Sequence, residues 1–220
     1  MQHALVLIIL AVFSLSANAQ TSNNGPIISG FPASFHWRNN PASWNVKDGV
    51  LTITAAEKTD WFISPTDGQE AANSPVLLFP APKDFWFSAK VTVNFQSQFD
   101  AGVLAVYADE KNWVKFCFEN TSDKKPSIVS VVTRGLSDDN TGTVIGDNTV
   151  YLKVSKAGQA IFPYFSTDGT KWKLTRAFNL GPERSLQFGF SAQSPVGSGS
   201  TVTFCDIHYK PERLNFWTGD

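Results

Sequence analysis

Apolar and polar residues alternate with a period of two along most of the chain after about residue 35. This alternation predicts β-strands with one buried face, and no segment sustains the i, i+3, i+4, i+7 spacing of an amphipathic helix. Turn-forming Gly, Pro and Asp residues separate the strands. The pattern therefore predicts an all-β sandwich of two antiparallel sheets. The predicted strands are 48–56, 84–96, 101–109, 113–119, 127–134, 149–158, 159–166, 170–178, 185–193 and 200–210.

One predicted strand, WVKFCFEN at 113–120, has two chemically distinct faces. Because side chains alternate along a strand, Val114, Phe116 and Phe118 share a face that we assign to the core between the sheets. Outward faces of antiparallel sheets are commonly solvated, so the other face is either an ordinary polar surface or part of a binding site. That face carries an indole, an ammonium, a thiol and a carboxylate, from Trp113, Lys115, Cys117 and Glu119.

The N-terminal residues have the pattern of an export signal. An apolar run is followed by Ala17-Asn18-Ala19, the small-residue motif that precedes a cleavage site. We predict a signal peptide at 1–19, because the apolar run is too short to span a bilayer comfortably. The protein is therefore expected to be secreted or extracellular, or periplasmic if the source is bacterial.

The remaining chain predicts a single domain, since β-sandwiches of this length are commonly one unit. We expect a flexible leader at 20–30, the sandwich at 31–210 and a C-terminal tail at 211–220. No later run is apolar and long enough to predict a membrane span after signal cleavage. The formal net charge of −1 and the pI near 6.3 provide no basic field for nucleic acid, so no nucleic-acid partner is expected.

Candidate covalent and metal chemistry is sparse. Cys117 and Cys205 are the only cysteines in the sequence, and a disulfide between them and two separate buried thiols both remain open. The stretch SDDNTG at 137–142 has the composition of a calcium loop, but the same residues dominate turns, so we expect a polar turn and no cofactor. Asn120 begins an N-glycosylation sequon that an exported eukaryotic protein could use.

Several segments, read in order, resemble one family. They are FHWRNNPASWNVKDGVLTITA (35–55), TDWF (59–62), FDAGVLAVYADEKNWVKFCFEN (99–120), SVVTRGLSD (130–138), YFSTDGTKWKLTRAF (164–178) and GFSAQSP (189–195). The set is similar to the concanavalin A-like sandwich proteins that include the regulation-of-enolase proteins. The resemblance implies a jelly-roll sandwich whose concave sheet cradles an extended ligand, often a saccharide in lectin-like relatives. The chain departs from the family pattern at Ala101 and at Asp139, where the family more often has a Trp.

The resemblance also implies which residues surround the outward face of 113–119. Asp60, Trp61 and Asp100 are expected near it, with Ser137 and Asp138 on a loop at its rim. Exposed indoles stack on sugar rings, and carboxylates and lysines hydrogen-bond to hydroxyls. The first hypothesis is therefore a lectin-like, carbohydrate-binding protein whose expected partner is a saccharide or glycan. The expected ligand-binding residues are Asp60, Trp61, Asp100, Trp113, Lys115, Glu119, Ser137 and Asp138.

Two other function classes remain open. A glycan-active enzyme, either a glycoside hydrolase or a lyase, would use Glu119 and Asp100 as its acid and base. No paired-carboxylate strand motif of a retaining glycosidase occurs, and no G-x-S-x-G marks a nucleophile, so the sequence leans away from an enzyme. The third hypothesis is an extracellular structural or protein-interaction domain whose outward face is simply solvated.

Overall fold

The computed structural model describes residues 25–80, 83–181 and 185–220, and its regular structure there is entirely β. The predicted signal peptide and the first part of the predicted leader lie outside these residues. The strands are β1 (His36–Arg38), β2 (Ser43–Lys47), β3 (Val50–Ala55), β4 (Trp61–Ile63), β5 (Glu70–Ala72), β6 (Val76–Pro80), β7 (Phe85–Val93), β8 (Ala101–Asp109), β9 (Asn112–Asn120), β10 (Pro126–Arg134), β11 (Leu136–Val144), β12 (Thr149–Ala157), β13 (Ala160–Ser166), β14 (Lys173–Leu174), β15 (Gln187–Gln193) and β16 (Ser200–Lys210).

Two seven-stranded antiparallel sheets form the molecule, so the predicted all-β sandwich is confirmed. The front sheet has the order β1-β6-β15-β8-β9-β10-β11, and the back sheet has the order β14-β13-β12-β7-β16-β3-β2. A third, two-stranded sheet pairs β4 with β5. The Asp48-Gly49 pair makes a turn with positive φ at both residues and joins β2 to β3.

The main hydrophobic core lies between the two large sheets. Val114, Phe116 and Phe118 of β9 belong to it, as the alternation in that strand predicted. Phe204 on the back sheet belongs to the same core and packs edge-on against Phe190 of β15, with ring centroids 5.0 Å apart. Aromatic pairs of this geometry add to the stabilisation that burial provides. Because β9 uses this face for the core, its opposite face is left to form the candidate site.

Several segments differ from the prediction. The segment 170–178 forms only the short strand β14, and 137–142, which was expected to be a turn, lies within β11 at the edge of the front sheet. Strands β1, β2, β4, β5 and β6 were not predicted. Strand β6 is VLLFP, whose first four residues are all buried, so it has no alternation to detect.

The two cysteines are free thiols, so the disulfide that the sequence left open does not form. Cys117 lies on the outer face of the front sheet. Cys205 follows the core residue Phe204 in the back sheet and therefore points out of the opposite side of the molecule. The two side chains thus point away from each other across the sandwich, and burial raises the pKa of the Cys117 thiol well above its usual value.

Both ends of the described chain pack on the sandwich. Within the predicted leader, Ile28 belongs to the main core and the Gly25 amide donates to the Phe35 carbonyl at 2.9 Å. The tail 211–220 packs on the outer face of the back sheet, where Tyr164 Oη donates to the Phe216 carbonyl at 2.8 Å. In the part of the chain that the structure describes, no helix has the length and apolar character that crossing a membrane requires.

Candidate functional site

The hairpin of β4 and β5 covers part of the outer face of the front sheet. Trp61 stacks on Trp113 with ring centroids 4.3 Å apart and an interplanar angle of 24°. The two indoles are 1% and 0% exposed and form a second hydrophobic cluster together with Ile63. The sequence predicted that both indoles would be exposed for ligand stacking, and this is wrong, because the hairpin buries them against the sheet.

Ser137 fastens this hairpin to the front sheet. Its Oγ accepts a hydrogen bond from the Ile63 amide at 2.9 Å and lies 2.9 Å from the hydroxyl of Thr133. The side chain is buried, so it does not lie at an open rim as expected from the resemblance. These contacts indicate that Ser137 holds the β4–β5 hairpin in position.

A cavity of about 310 Å³ lies beside the hairpin on the same outer face. Its lining combines polar and ionisable residues with aromatic and aliphatic ones. The lining residues are Asp60, Phe62, Phe99, Lys115, Glu119, Val131, Asp139, Gln193 and Pro195. The predicted site residues Asp60, Lys115 and Glu119 therefore converge on one cavity.

Strand register explains the position of Lys115 and Asp139. Lys115 pairs with Val131, and Val131 pairs with Asp139 on the next strand. Directly paired residues on neighbouring strands point to the same face of the sheet. On the other side Lys115 pairs with Ala105, whose small side chain leaves space above the sheet.

A second row of paired residues contains the other polar groups. Glu119 of β9 pairs with Ala101 of β8, and Ala101 pairs with Gln193 of β15. A methyl group between two long polar side chains allows them to approach each other above the sheet. Gln193 and Glu119 do so, with Nε2 and Oε2 3.5 Å apart.

Lys115 is a buried cation held by two acceptors. Its Nζ donates to Asp60 Oδ1 at 3.2 Å and to Gln193 Oε1 at 2.9 Å, and the residue is 3% exposed. Burial acts to lower the pKa of Lys115, but the negative charge of Asp60 and the other nearby acids outweighs it, so the pKa is raised overall. Lys115 is therefore charged at neutral pH and forms a buried ion pair with Asp60.

Glu119 is a buried carboxyl with an unusual protonation state. Burial raises its pKa to about 8, the positive charge of Lys115 opposes the shift, and the charges of Asp139 and Asp60 add to it. Burial also raises the pKa of Asp139, against the effect of Lys115. At neutral pH the cavity therefore contains a protonated carboxyl that can both donate and accept hydrogen bonds.

Asp100 lies outside the cavity and supports a loop next to it. Its Oδ2 accepts hydrogen bonds from the amides of Gln96 and Ser97 at 2.9 and 2.8 Å, and its Oδ1 accepts one from the Ser194 hydroxyl at 2.7 Å. The loop places Phe99, with a positive φ of 66°, against the cavity. Because its oxygens are occupied and it does not line the cavity, Asp100 is not placed to act with Glu119 as an acid and base pair.

Asp138 also lies outside the cavity. It pairs with Val132, a residue of the main core, so its side chain leaves the sheet on the opposite side from Asp139. The Asp138 side chain is 66% exposed and forms a surface ion pair with Arg176 at 3.4 Å. The expectation from the resemblance therefore missed the cavity residue by one position.

The sequence reasoning also missed Gln193 and the apolar lining. Gln193 follows the inward-facing Phe190 and Ala192 in β15, so alternation alone would have predicted that it points outward. Alternation starting from Ser137 would likewise have predicted that Asp139, two positions later, points outward toward the site. Phe99 and Pro195 lie in loops, where no periodicity exists to indicate a shared site.

Two further features considered from the sequence are glycosylation of Asn120 and a calcium site at 137–142. Asn120 donates from Nδ2 to the Ser97 carbonyl at 2.9 Å and is partly buried, and its glycosylation stays a prediction. Within residues 25–80, 83–181 and 185–220, no group of three or more His, Cys, Asp or Glu side chains is arranged to hold a metal ion.

Comparison with known proteins identifies the family. A family model described as "Protein of unknown function (DUF1349)" matches residues 37–212. The chain belongs to this family. It is also 27% identical over 172 residues to "Regulation of enolase protein 1" of Saccharomyces cerevisiae, a match that covers 77% of this chain and 86% of the relative. The resemblance drawn from the ordered segments is confirmed.

Solved structures support the fold of this DUF1349 member. A functionally unknown protein from Saccharomyces cerevisiae superimposes with a TM-score of 0.75 at 25% identity, covering 82% of this chain and 97% of that one. The GH43 protein BlXynB from Bacillus licheniformis gives 0.63 at 17%, covering 81% of this chain and 37% of that chain. The carbohydrate-binding module CBM66 from Bacillus subtilis gives 0.51 at 16%, covering 79% and 94%. The chain therefore has the predicted concanavalin A-like jelly-roll sandwich.

Proposed function

We propose that the protein binds a small saccharide unit in the cavity beside the β4–β5 hairpin. The observation that carries this proposal is the burial of Glu119, which is 7% exposed and lines the cavity. Among the described residues, its hydrogen-bond contact is the long 3.5 Å approach of Gln193 Nε2. A buried polar group without good partners costs about 1–3 kcal/mol, and ligand hydroxyls reaching Glu119 would recover that cost.

The lining of the cavity fits a sugar ring. A sugar presents hydroxyls at its edge and C–H groups on its faces, and the cavity is lined by both polar and aromatic groups. Phe62 and Phe99 supply the apolar contact that the buried tryptophans cannot, and Glu119 supplies hydrogen bonds. The volume of about 310 Å³ is near the lower end of ligand pockets, about 300–1,000 Å³, which favours a small unit over a long chain.

The structural neighbours support the proposal at the level of the fold. A protein named as a carbohydrate-binding module has this fold, and so does part of a protein named as GH43. At 16% and 17% identity these neighbours support a shared architecture, but they do not indicate the ligand, since one fold hosts many functions. Export through the predicted signal peptide at 1–19 would place such a binding protein outside the cytoplasm, where glycans are abundant, and this location is part of the proposal.

The test is a binding screen with variants that change only the cavity. A panel of methyl glycosides and short oligosaccharides is titrated by calorimetry and ligand-observed NMR. Glu119→Ala and Phe62→Ala are each expected to weaken binding by about tenfold, equivalent to about 1.4 kcal/mol, because each removes one contact group. The matched controls are Asp138→Asn and Leu136→Ala, which change an exposed acid and an exposed apolar residue outside the cavity.

The outcomes separate the three function classes. Saccharide binding that is lost in the cavity variants and kept in the controls supports the proposal. Release of reducing sugar or of an unsaturated product from the same panel, abolished by Glu119→Gln, would instead indicate the enzyme. Absence of both binding and product across the panel would overturn the proposal and leave a structural or interaction domain. Thermal melts of each variant show that the fold is intact.

A further inference from the structure

We infer that the cavity selects an uncharged sugar and rejects the corresponding sugar acid, whose ring carries a carboxylate. This inference rests on the proposed function, because it names the class of saccharide that the same cavity accepts. Two features of the cavity support it: the balance of charge around it, and the pairing of its cation with Asp60.

Acids outnumber bases around the cavity. Its described lining contains three carboxyl groups, from Asp60, Glu119 and Asp139, and one cation, Lys115. A like charge close to carboxylates is unfavourable, and burial strengthens the repulsion because the local dielectric is low. With Glu119 protonated, Asp60 and Asp139 still outnumber Lys115, so a ligand carboxylate that enters here meets more negative than positive charge.

The cation is already engaged by the protein. Lys115 Nζ bonds to Asp60 Oδ1 at 3.2 Å and to Gln193 Oε1 at 2.9 Å. A ligand carboxylate could reach only the third N–H of this ammonium, and it would share the cation with Asp60, whose own negative charge repels it. Among the described lining residues, the cavity thus has no cation that is not already paired with an acid.

Arginine, which binds carboxylates with two parallel hydrogen bonds, does not line the cavity among the described residues. Arg38 pairs with Glu110, beside the ring of Tyr107. Arg176 pairs with Asp138 on the other side of β11. Both guanidinium groups are directed to acids elsewhere, so neither is available to hold a sugar acid.

The protonated Glu119 suits a ligand hydroxyl. As a neutral acid it donates one hydrogen bond and accepts others, which matches a hydroxyl that does the same. The groups that surround it are Lys115 and Cys117 on its own strand, Asp60 before β4, Asp139 on β11 and Gln193 on β15. When Glu119 ionises at higher pH, the cavity gains one more negative charge, and discrimination against a sugar acid increases.

The experiment compares matched pairs that differ only in charge. Methyl β-glucoside is compared with methyl β-glucuronide, and methyl α-galactoside with methyl α-galacturonide, by NMR titration at pH 6 and pH 9. In each pair the uncharged sugar is expected to bind at least tenfold more tightly, with a larger ratio at pH 9. Asp139→Asn is expected to reduce the ratio, Glu119→Gln to make the ratio vary less with pH, and Asp138→Asn to leave it unchanged.

The outcomes distinguish the inference from the function on which it rests. A glucuronide or galacturonide that binds as tightly as its uncharged partner, or more tightly, overturns the charge selection and leaves saccharide binding intact. If no member of either pair and no saccharide of the screening panel binds, the proposed function is overturned and the inference with it. An unchanged ratio in Asp139→Asn overturns the assignment of selection to the cavity acids.

Discussion

Replacing Glu119 with glutamine is expected to change how the stability of the fold depends on pH. Burial raises the pKa of Glu119 from 4.5 to about 8. Between about pH 4.5 and pH 8, the folded protein therefore holds a proton that the unfolded chain has already released. Since stability falls with pH wherever the folded state binds more protons, this carboxyl makes the fold progressively less stable across that window.

The size of the effect follows from the shift. Each unit of pKa difference corresponds to about 1.36 kcal/mol, so a shift from 4.5 to about 8 corresponds to at most about 5 kcal/mol. Glutamine is close in shape to the protonated acid and does not ionise. Glu119→Gln should therefore match the wild type near pH 5 and exceed its stability by several kcal/mol at pH 9.

The assay is urea unfolding followed by tryptophan fluorescence at intervals from pH 5 to pH 9. The free energy of unfolding of the wild type is subtracted from that of the variant, which removes contributions from groups that both proteins share. Glu57→Gln, which changes an exposed acid, serves as the control and should give a difference that does not vary with pH. A flat difference for Glu119→Gln as well would refute the reasoning that Glu119 is buried and protonated.

Two further predictions concern the coverings of the two outer faces. Trp113→Ala should cost about 3–5 kcal/mol in urea unfolding, because Trp113 is fully buried against Trp61. Trp217→Ala, at 74% exposure, should change stability by less than about 0.5 kcal/mol, and equal effects would contradict the assigned burial. Deleting 211–220 removes the bonds from Lys153 Nζ to the Gly219 carbonyl, 2.7 Å, and from Tyr164 Oη to the Phe216 carbonyl. A loss of about 1–3 kcal/mol is expected, and an unchanged thermal melt would contradict packing of the tail.

The sandwich could be predicted because its central strands alternate strongly. The segments 101–109 and 113–119 became β8 and β9 with little change of boundaries, and the core side of β9 was assigned correctly. The alternation of apolar and polar residues indicates which side of a strand faces the core. It can be read from the residues of that strand alone. Strand β6 lacks it, because both of its faces are covered and its residues are almost uniformly apolar.

The candidate site could be predicted only in part, because its form depends on distant contacts. Alternation showed that Lys115 and Glu119 share a face, and the structure places both on one cavity. It could not show that the short hairpin β4–β5 folds over this face, held by the contact between Ser137 and Ile63. That covering buries Trp61 and Trp113 and converts an open surface into a bounded cavity.

Some of the missing residues were within reach of the sequence. Asp139 lies two positions after Ser137 on the same strand, so it shares the outward face, whereas Asp138 faces the other way. The segment 137–142 was interpreted as a turn, where no such parity applies. A correct strand assignment there would have exchanged Asp138 for Asp139 in the predicted site.

NMR mapping of saccharide binding onto the protein tests directly whether the cavity beside the β4–β5 hairpin is the binding site. A ¹H–¹⁵N spectrum is recorded during titration with the tightest methyl glycoside of the screening panel. If the saccharide binds in the cavity, saturable shifts are expected for the Gln193 side-chain amide and for the Phe99 and Phe62 backbone amides, because all three residues line it. Saturable shifts confined to another surface, such as the groove lined by Asn45, Lys47 and Thr52, would contradict binding in the cavity.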